Sequence, residues 1–215
     1  PIDGFGNKEL LRMALATEKP DVLFLFTDPR FYYWLFEMED EIHQICPIVY
    51  WHVWDNSPYP EFNDAFYEAT DLINCHSHHT YSQVKNHWPK KTNFVPHSLP
   101  PDIFFQMSPF EAAQLREQII GKERSDHFVL FWMNRNARRK RPGDLIYSFK
   151  LFLDELYKKE GHRKATLLMH TDPHDKEGPN LFAVTEMLGV KDNVVFSNQR
   201  VDFQMINKLH NISDV

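Results

Sequence analysis

Seven short apolar runs cross this chain, and the residues between them carry apolar positions at helical spacing. The runs are "DVLFLF" from Asp21, "PIVYWHV" from Pro47, "DLINC" from Asp71, "TNFVPH" from Thr92, "HFVLFWM" from His127, "ATLLMH" from Ala165 and "NVVFS" from Asn193. Each is too short for a buried helix and too continuous for a strand with one face in water. Strands of this kind, joined by helical crossovers, predict parallel sheet covered on both faces. The helices are expected at residues 7–18, 31–43, 61–69 and 79–88, and later at 180–188 and 201–210. The aromatic stretch "FYYWLF" (residues 31–36) is expected to serve as helical core.

The alternation pauses at "SLPPDIFFQMSPFEAA". Ser108 with Glu111 three residues on, and Pro109 between, reads as a capping box that starts a helix. A boundary near Pro100 and Pro101 therefore divides the chain into residues 1–100 and 101–215. In the second half, Leu145, Phe149, Phe152, Leu153 and Leu156 share one helical face. Two α/β halves result, and ligands of open α/β sheets gather at the carboxyl ends of the strands.

Composition narrows the function. A net charge of −6 argues against a dedicated duplex-DNA binder. The two cysteines, Cys46 and Cys75, end apolar runs and read as buried free thiols. That suits a reducing compartment, so a cytoplasmic location is expected, with peripheral attachment to a membrane left open. No run reaches the length of a membrane span. The chain opens at Pro1 without methionine, and residues 212–215 read as the start of a strand, so a fragment of a longer protein is expected.

Against this acidic background "RNARRKR" (residues 135–141) holds five positive charges in seven residues. It follows a strand and precedes a helix that Pro142 is placed to start. A helix start offers unpaired N–H groups and the positive end of the dipole. Arginine and lysine beside it make a diphosphate clamp. A solvated basic turn, or a patch like a nuclear-localisation signal, is the plain alternative.

The stretch "FWMNRNARRKRPGDLIYSFKLFL" resembles the start of the nucleotide-binding half of glycosyltransferase family 4, which has the GT-B fold. "NFVPHSLPPDIF" resembles that family's link between halves. "EKPDVLFLFTDP" and "IVYWHVWDNSP" resemble its acceptor half, and residues 172–215 resemble its run through the nucleotide-base loop. The resemblance covers nearly the whole chain, through the order of its pieces. Two departures stand out: Arg141 replaces a common glycine, with Gly143 displaced, and Ser98 stands where glycine is usual.

The resemblance implies two Rossmann-like halves, both incomplete, and a retaining transfer of sugar from a nucleoside-diphosphate sugar to an acceptor hydroxyl. The acceptor would be a glycan, a lipid or a protein-linked sugar. It implies no cofactor beyond the donor substrate and no catalytic metal. Arg135 and Lys140 hold the family's diphosphate spacing, whereas Arg138, Arg139 and Arg141 have no counterpart. His52 and Asp55, in "WHVWDNSP", fall where the family meets the sugars, although "DNSP" is also good turn chemistry. Ser197, Asn198 and Val201 fall in the base loop. The family's glycine-rich loop and acidic motif would lie outside these residues, so the chain alone is expected to bind nucleotide weakly and not to transfer sugar.

Two further motifs weigh toward structure. "CHSHH" (residues 75–79) has zinc-type donors, but its neighbouring side chains point apart and no second pair completes a site. "MHTDPHD" (residues 169–175) places His170 and Asp172 at a strand end, with an Asp-Pro turn favoured there. A non-catalytic nucleotide or phosphosugar module and an RNA-binding protein using residues 135–141 remain alternatives.

Overall fold

The computed structural model describes residues 4–215, which fall into two units divided between Ser98 and Leu99. In the first, the Asn7 side chain accepts a hydrogen bond from Leu10 N at 3.0 Å and starts helix α1 (Lys8–Glu18). Strand β1 (Leu23–Phe26) follows, then α2 (Tyr33–Phe36), α3 (Glu39–His43), β2 (Ile48–His52), α4 (Asp64–Glu68), β3 (Leu72–Cys75), α5 (His78–His87) and β4 (Thr92–Phe94).

One long helix was expected at residues 31–43, and two short ones form instead. Met38 leaves helical geometry at φ −122° and is buried, and its N–H bonds back three residues to Leu35 O. The break lets Leu35, Met38 and Ile42 all reach the core. The expected helix at 61–69 likewise starts as a 3-10 turn, Glu61–Asn63, before α4.

The four strands run parallel in the order β1-β2-β3-β4, with Leu25 beside Tyr50, Tyr50 beside Ile73 and Ile73 beside Thr92. Every crossover steps to the next strand in the same direction. Right-handed crossovers then place their helices on one face. That face holds the core: Leu25, Ile48, Tyr50, Ile73 and Cys75 pack with Leu15, Leu35, Ile42, Tyr67 and Val84. The other face does not follow the expectation of double cover. Phe24 and Phe26 are 49% and 51% exposed, and Trp51 between them is half-buried.

The second unit does have both faces covered. Its elements are α6 (Pro109–Ile120), β5 (Phe128–Met133), α7 (Pro142–Glu160), β6 (Ala165–His170), α8 (Leu181–Met187), β7 (Val194–Ser197) and α9 (Phe203–Asn211), with parallel strands in the order β5-β6-β7. The capping box of Ser108 and Glu111 is formed. Ile146, Phe149 and Leu153 of α7 meet Leu167, Met169 and Leu181 on one face. Ile120, Ile206, Leu209 and Ile212 meet Val129 and Leu168 on the other. β6, between its two neighbours, is buried along its length up to His170.

Residues 212–215 were expected to begin a strand. Ile212 instead closes α9, and the two residues at the end then lie along β5: Asp214 N donates to Val129 O at 2.8 Å and Phe131 N to Val215 O at 2.7 Å. At the other end of the unit, Asn207 and Asn211 side chains accept from Phe105 N and Met107 N at 3.2 and 2.7 Å.

Candidate functional site

The strands of the second unit end level. Met133, His170 and Ser197 are register partners across β5, β6 and β7, so the loops that follow them leave from one row. His170 Nδ1 and the Ser197 hydroxyl are 2.9 Å apart across this row, and burial holds the imidazole pKa below its usual range.

The basic loop leaves from Met133. Residues Arg138–Lys140 form a 3-10 turn, and Arg141 then takes a left-handed conformation (φ 49°) immediately before Pro142 begins α7. The sequence therefore puts cations at the start of a long helix, as expected. The structure also shows what holds the loop. Arg135 donates from Nε and Nη2 to the two carboxylate oxygens of Asp175 at 2.7 and 3.1 Å. The hydrogen bonds from Arg135 hold the Asp175 carboxyl below the usual carboxylate range, and Asp175 raises the guanidinium in turn. Arg138 N donates to Glu177 O at 3.1 Å. Asn136 is fully buried and its Nδ2 donates to Pro179 O at 2.8 Å.

Gly178 makes this approach feasible. A Cβ there would fall 2.0 Å from Asn136 Oδ1 and 2.6 Å from Asn136 O. The segment 172–180 is thus clipped to the basic loop at several points. Asp175, Asn136 and Gly178 were not singled out from the sequence. The one available signal was an acidic, proline-bounded loop at the next strand end.

A polar cavity of about 450 Å³ lies against the clip, lined by Arg135, Ala137, Arg138, Arg139, Lys176 and Glu177. Lys140 is exposed and lies outside its lining. Arg135 and Lys140 therefore sit on one loop but not on one cavity wall. Asp172 is exposed, and its side chain accepts from His174 N at 2.9 Å, which is turn chemistry. In the base loop, Ser197 is half-buried against His170 and Asn198 is exposed. Val201 lines a separate apolar groove of about 930 Å³ with Phe104, Met133, Phe203 and Ile206. Met133 belongs both to the row of strand ends and to this groove.

In the first unit His52 ends β2 and is fully buried. A directional hydrogen-bond chain fixes its tautomer. Tyr50 donates its hydroxyl proton to Thr27 O at 2.6 Å, so its oxygen is left to accept from His52 Nδ1 at 3.1 Å. Nε2 then accepts from the Tyr67 hydroxyl. Burial pushes the imidazole down to about 3, so it is neutral at ordinary pH. Asp55, three residues on, is exposed in the loop after β2. His52 and Asp55 thus share a strand end but not an environment.

The zinc-type motif is taken up by the fold. Cys75 is a buried thiol pushed up to about 12, His76 Nδ1 bonds to His52 O at 2.7 Å, and Ser77 caps α5. Among the described residues no three His, Cys, Asp or Glu side chains gather to hold a metal ion, and no helix is long and apolar enough to cross a membrane.

No protein-family model matches the chain, and no curated protein matches it in sequence. Solved structures do. HepE of Anabaena, solved with UDP and glucose, superposes with a TM-score of 0.68 at 16% identity, over 98% of this chain and 57% of its own. A glycosyltransferase from Rickettsia africae gives 0.62 at 15% identity, over 96% and 53%. The E. coli trehalose-6-phosphate protein, bound with UDP-2-fluoro glucose, gives 0.61 at 14%, over 95% and 54%. The fold is that of the GT-B glycosyltransferases. The chain spans about half the length of these structures.

Proposed function

We propose that this chain supplies the donor-binding part of a glycosyltransferase that moves a sugar from a nucleoside-diphosphate sugar to an acceptor hydroxyl, with retention at the anomeric carbon. The observation that carries this reading is the cationic loop joining the end of β5 to the start of α7, in a GT-B fold. Bond cleavage at the sugar leaves charge on the diphosphate, and fixed cations at that point stabilise the transition state more than the ground state. Arg135 and Lys140 are assigned this role, which leaves no task for a metal. The base lies by Ser197, Asn198 and Val201, where the apolar groove offers a wall for a flat heterocycle. Asp55, exposed after β2, is the group assigned to sugar hydroxyls. His52, neutral and bonded on both nitrogens, shapes the strand end from which Asp55 departs. The acceptor is a glycan, lipid or protein-linked sugar, met at the cytoplasmic side.

Calorimetric titration with UDP and UMP tests the reading. Preference for the diphosphate, surviving moderate salt, supports it. Equal binding of both, falling steeply with salt, marks a diffuse polyanion surface of the RNA-binding kind. The burial of His52 favours one second reading, a nucleotide-binding module without transfer. Binding of a UDP-sugar with neither transfer nor hydrolysis, in a longer chain that restores the length of the solved structures, would select it.

A further inference from the structure

The contact between Arg135 and Asp175 is prepared from the aspartate's side. Asp175 lies in a turn closed by its own backbone: Gly178 N donates to Asp175 O at 3.1 Å, and Glu177 N donates to Asp175 Oδ1 at 3.0 Å. The clip from Asn136 and Arg138 holds that turn in place. The Asp175 side chain is 16% exposed and that of Arg135 is 65% exposed. A fixed carboxylate therefore meets a guanidinium that is otherwise in solvent.

The edge that is used matters. A guanidinium has five N–H groups. Asp175 takes one from Nε and one from Nη2. Three remain, and two of them, one on Nη1 and one on Nη2, form the outer edge, which points away from the carboxylate. That edge has the spacing for two oxygens of a phosphate. We infer that Asp175 is a positioning residue of the diphosphate site, holding Arg135 side-on so that its outer edge is presented to the phosphate. This rests on the diphosphate reading above. An aspartate acting as a rival anion would be expected on the outer edge, and it is not there. Without Asp175, an exposed arginine must surrender its rotamer freedom when the ligand arrives, and affinity falls.

A double-mutant cycle decides the matter, with UDP and inorganic pyrophosphate as probes on the 215-residue chain. Asp175→Ala is expected to weaken both about tenfold, and to change either less than about twofold when Arg135 is already alanine. Asp175→Asn, which keeps one acceptor, should fall between. Equal losses in the two backgrounds would show that Asp175 acts through the fold and not through Arg135. Tighter binding by Asp175→Ala would show a competing anion, and either result overturns the inference. Should Asp175→Ala lose its folded circular-dichroism spectrum, the Asp175→Asn cycle carries the same comparison. If neither probe binds the unaltered chain, the diphosphate reading fails and takes this one with it; binding with an additive cycle removes this one alone.

Discussion

Tyr67 donates its phenolic proton to His52 Nε2 within the core of the first unit. The unfolded imidazole takes up a proton near pH 6.5 and the folded one only near 3. The stability this neutral histidine contributes is complete above about pH 6.5. It drains away as pH falls toward 3, at about 1.4 kcal/mol per pH unit. His52→Gln should be less stable at pH 7.5 yet lose less on going to pH 5, in urea titrations at both pH values. A residual slope from His127 and His170, also held low by burial, should persist. Tyr67→Phe leaves Nε2 without a donor and should cost about 1–3 kcal/mol. An unchanged pH slope in His52→Gln would refute the assignment.

Arg141 occupies a backbone conformation that suits glycine, with φ 49° and ψ 46°. A side chain there costs roughly 1–2 kcal/mol, and glycine gives back about 0.5–1 through its freer unfolded state. Arg141→Gly should therefore leave stability unchanged or raise it by up to about 1 kcal/mol, since its ion pair with Asp144 is exposed on both sides. Thermal unfolding measures this directly, and a clear loss would contradict it.

Two glycines, one in the segment 172–180 and one in the first turn of α7, should respond differently to alanine. At Gly178 the new Cβ collides with Asn136, and overpacking of this kind costs about 1–3 kcal/mol. At Gly143 it meets only Pro179, at 4.0 Å, in the first turn of α7. Gly143→Ala should be neutral or stabilising. Amide exchange across residues 172–180 should quicken in the first variant alone.

Within the basic loop the cations should not be equivalent. Arg135→Ala and Lys140→Ala are each expected to weaken UDP about tenfold or more, as for a lost charge-assisted bond. Arg138→Ala should stay within about threefold, because the diphosphate reading assigns it no phosphate contact and its charge then acts only through a screened field. Three equal losses in calorimetry would reduce the loop to a basic patch.

Much of the fold was legible, and particular residues show why. β6 was read residue for residue, because a strand buried on both faces reads as one short, nearly unbroken apolar run, in which Thr166 is buried with its neighbours. The start of α6 was legible because a capping box is local chemistry. The break at Met38 was not, since it reflects where the core lies and not what the helix prefers. The bare face of the first sheet was hidden for a related reason. "LFLF" is apolar on both sides, and only the strand order reveals that the crossovers all fall on one of them. In the site, Arg135 announced itself by charge and position. Asp175 lies 40 residues away and only the register of β5 with β6 brings it near. The burial of His52 depended on two tyrosines that carry no motif.

The strand orders also set the sequence in which the units can close during synthesis. In the first unit each strand pairs only with those next to it along the chain, so the sheet can grow one strand at a time as residues emerge. The second unit has ties that span almost all of it: Phe105 N waits for Asn207, 102 residues later, and Phe131 N waits for Val215. Loops of that length close slowly. A ribosome stalled near Leu188 would therefore carry a finished first sheet beside a second whose inner face, Val129 and Leu168, is still bare. Limited proteolysis of such stalled chains should cut the second unit and spare the first, and the exposure should end only once residues 203–215 have emerged.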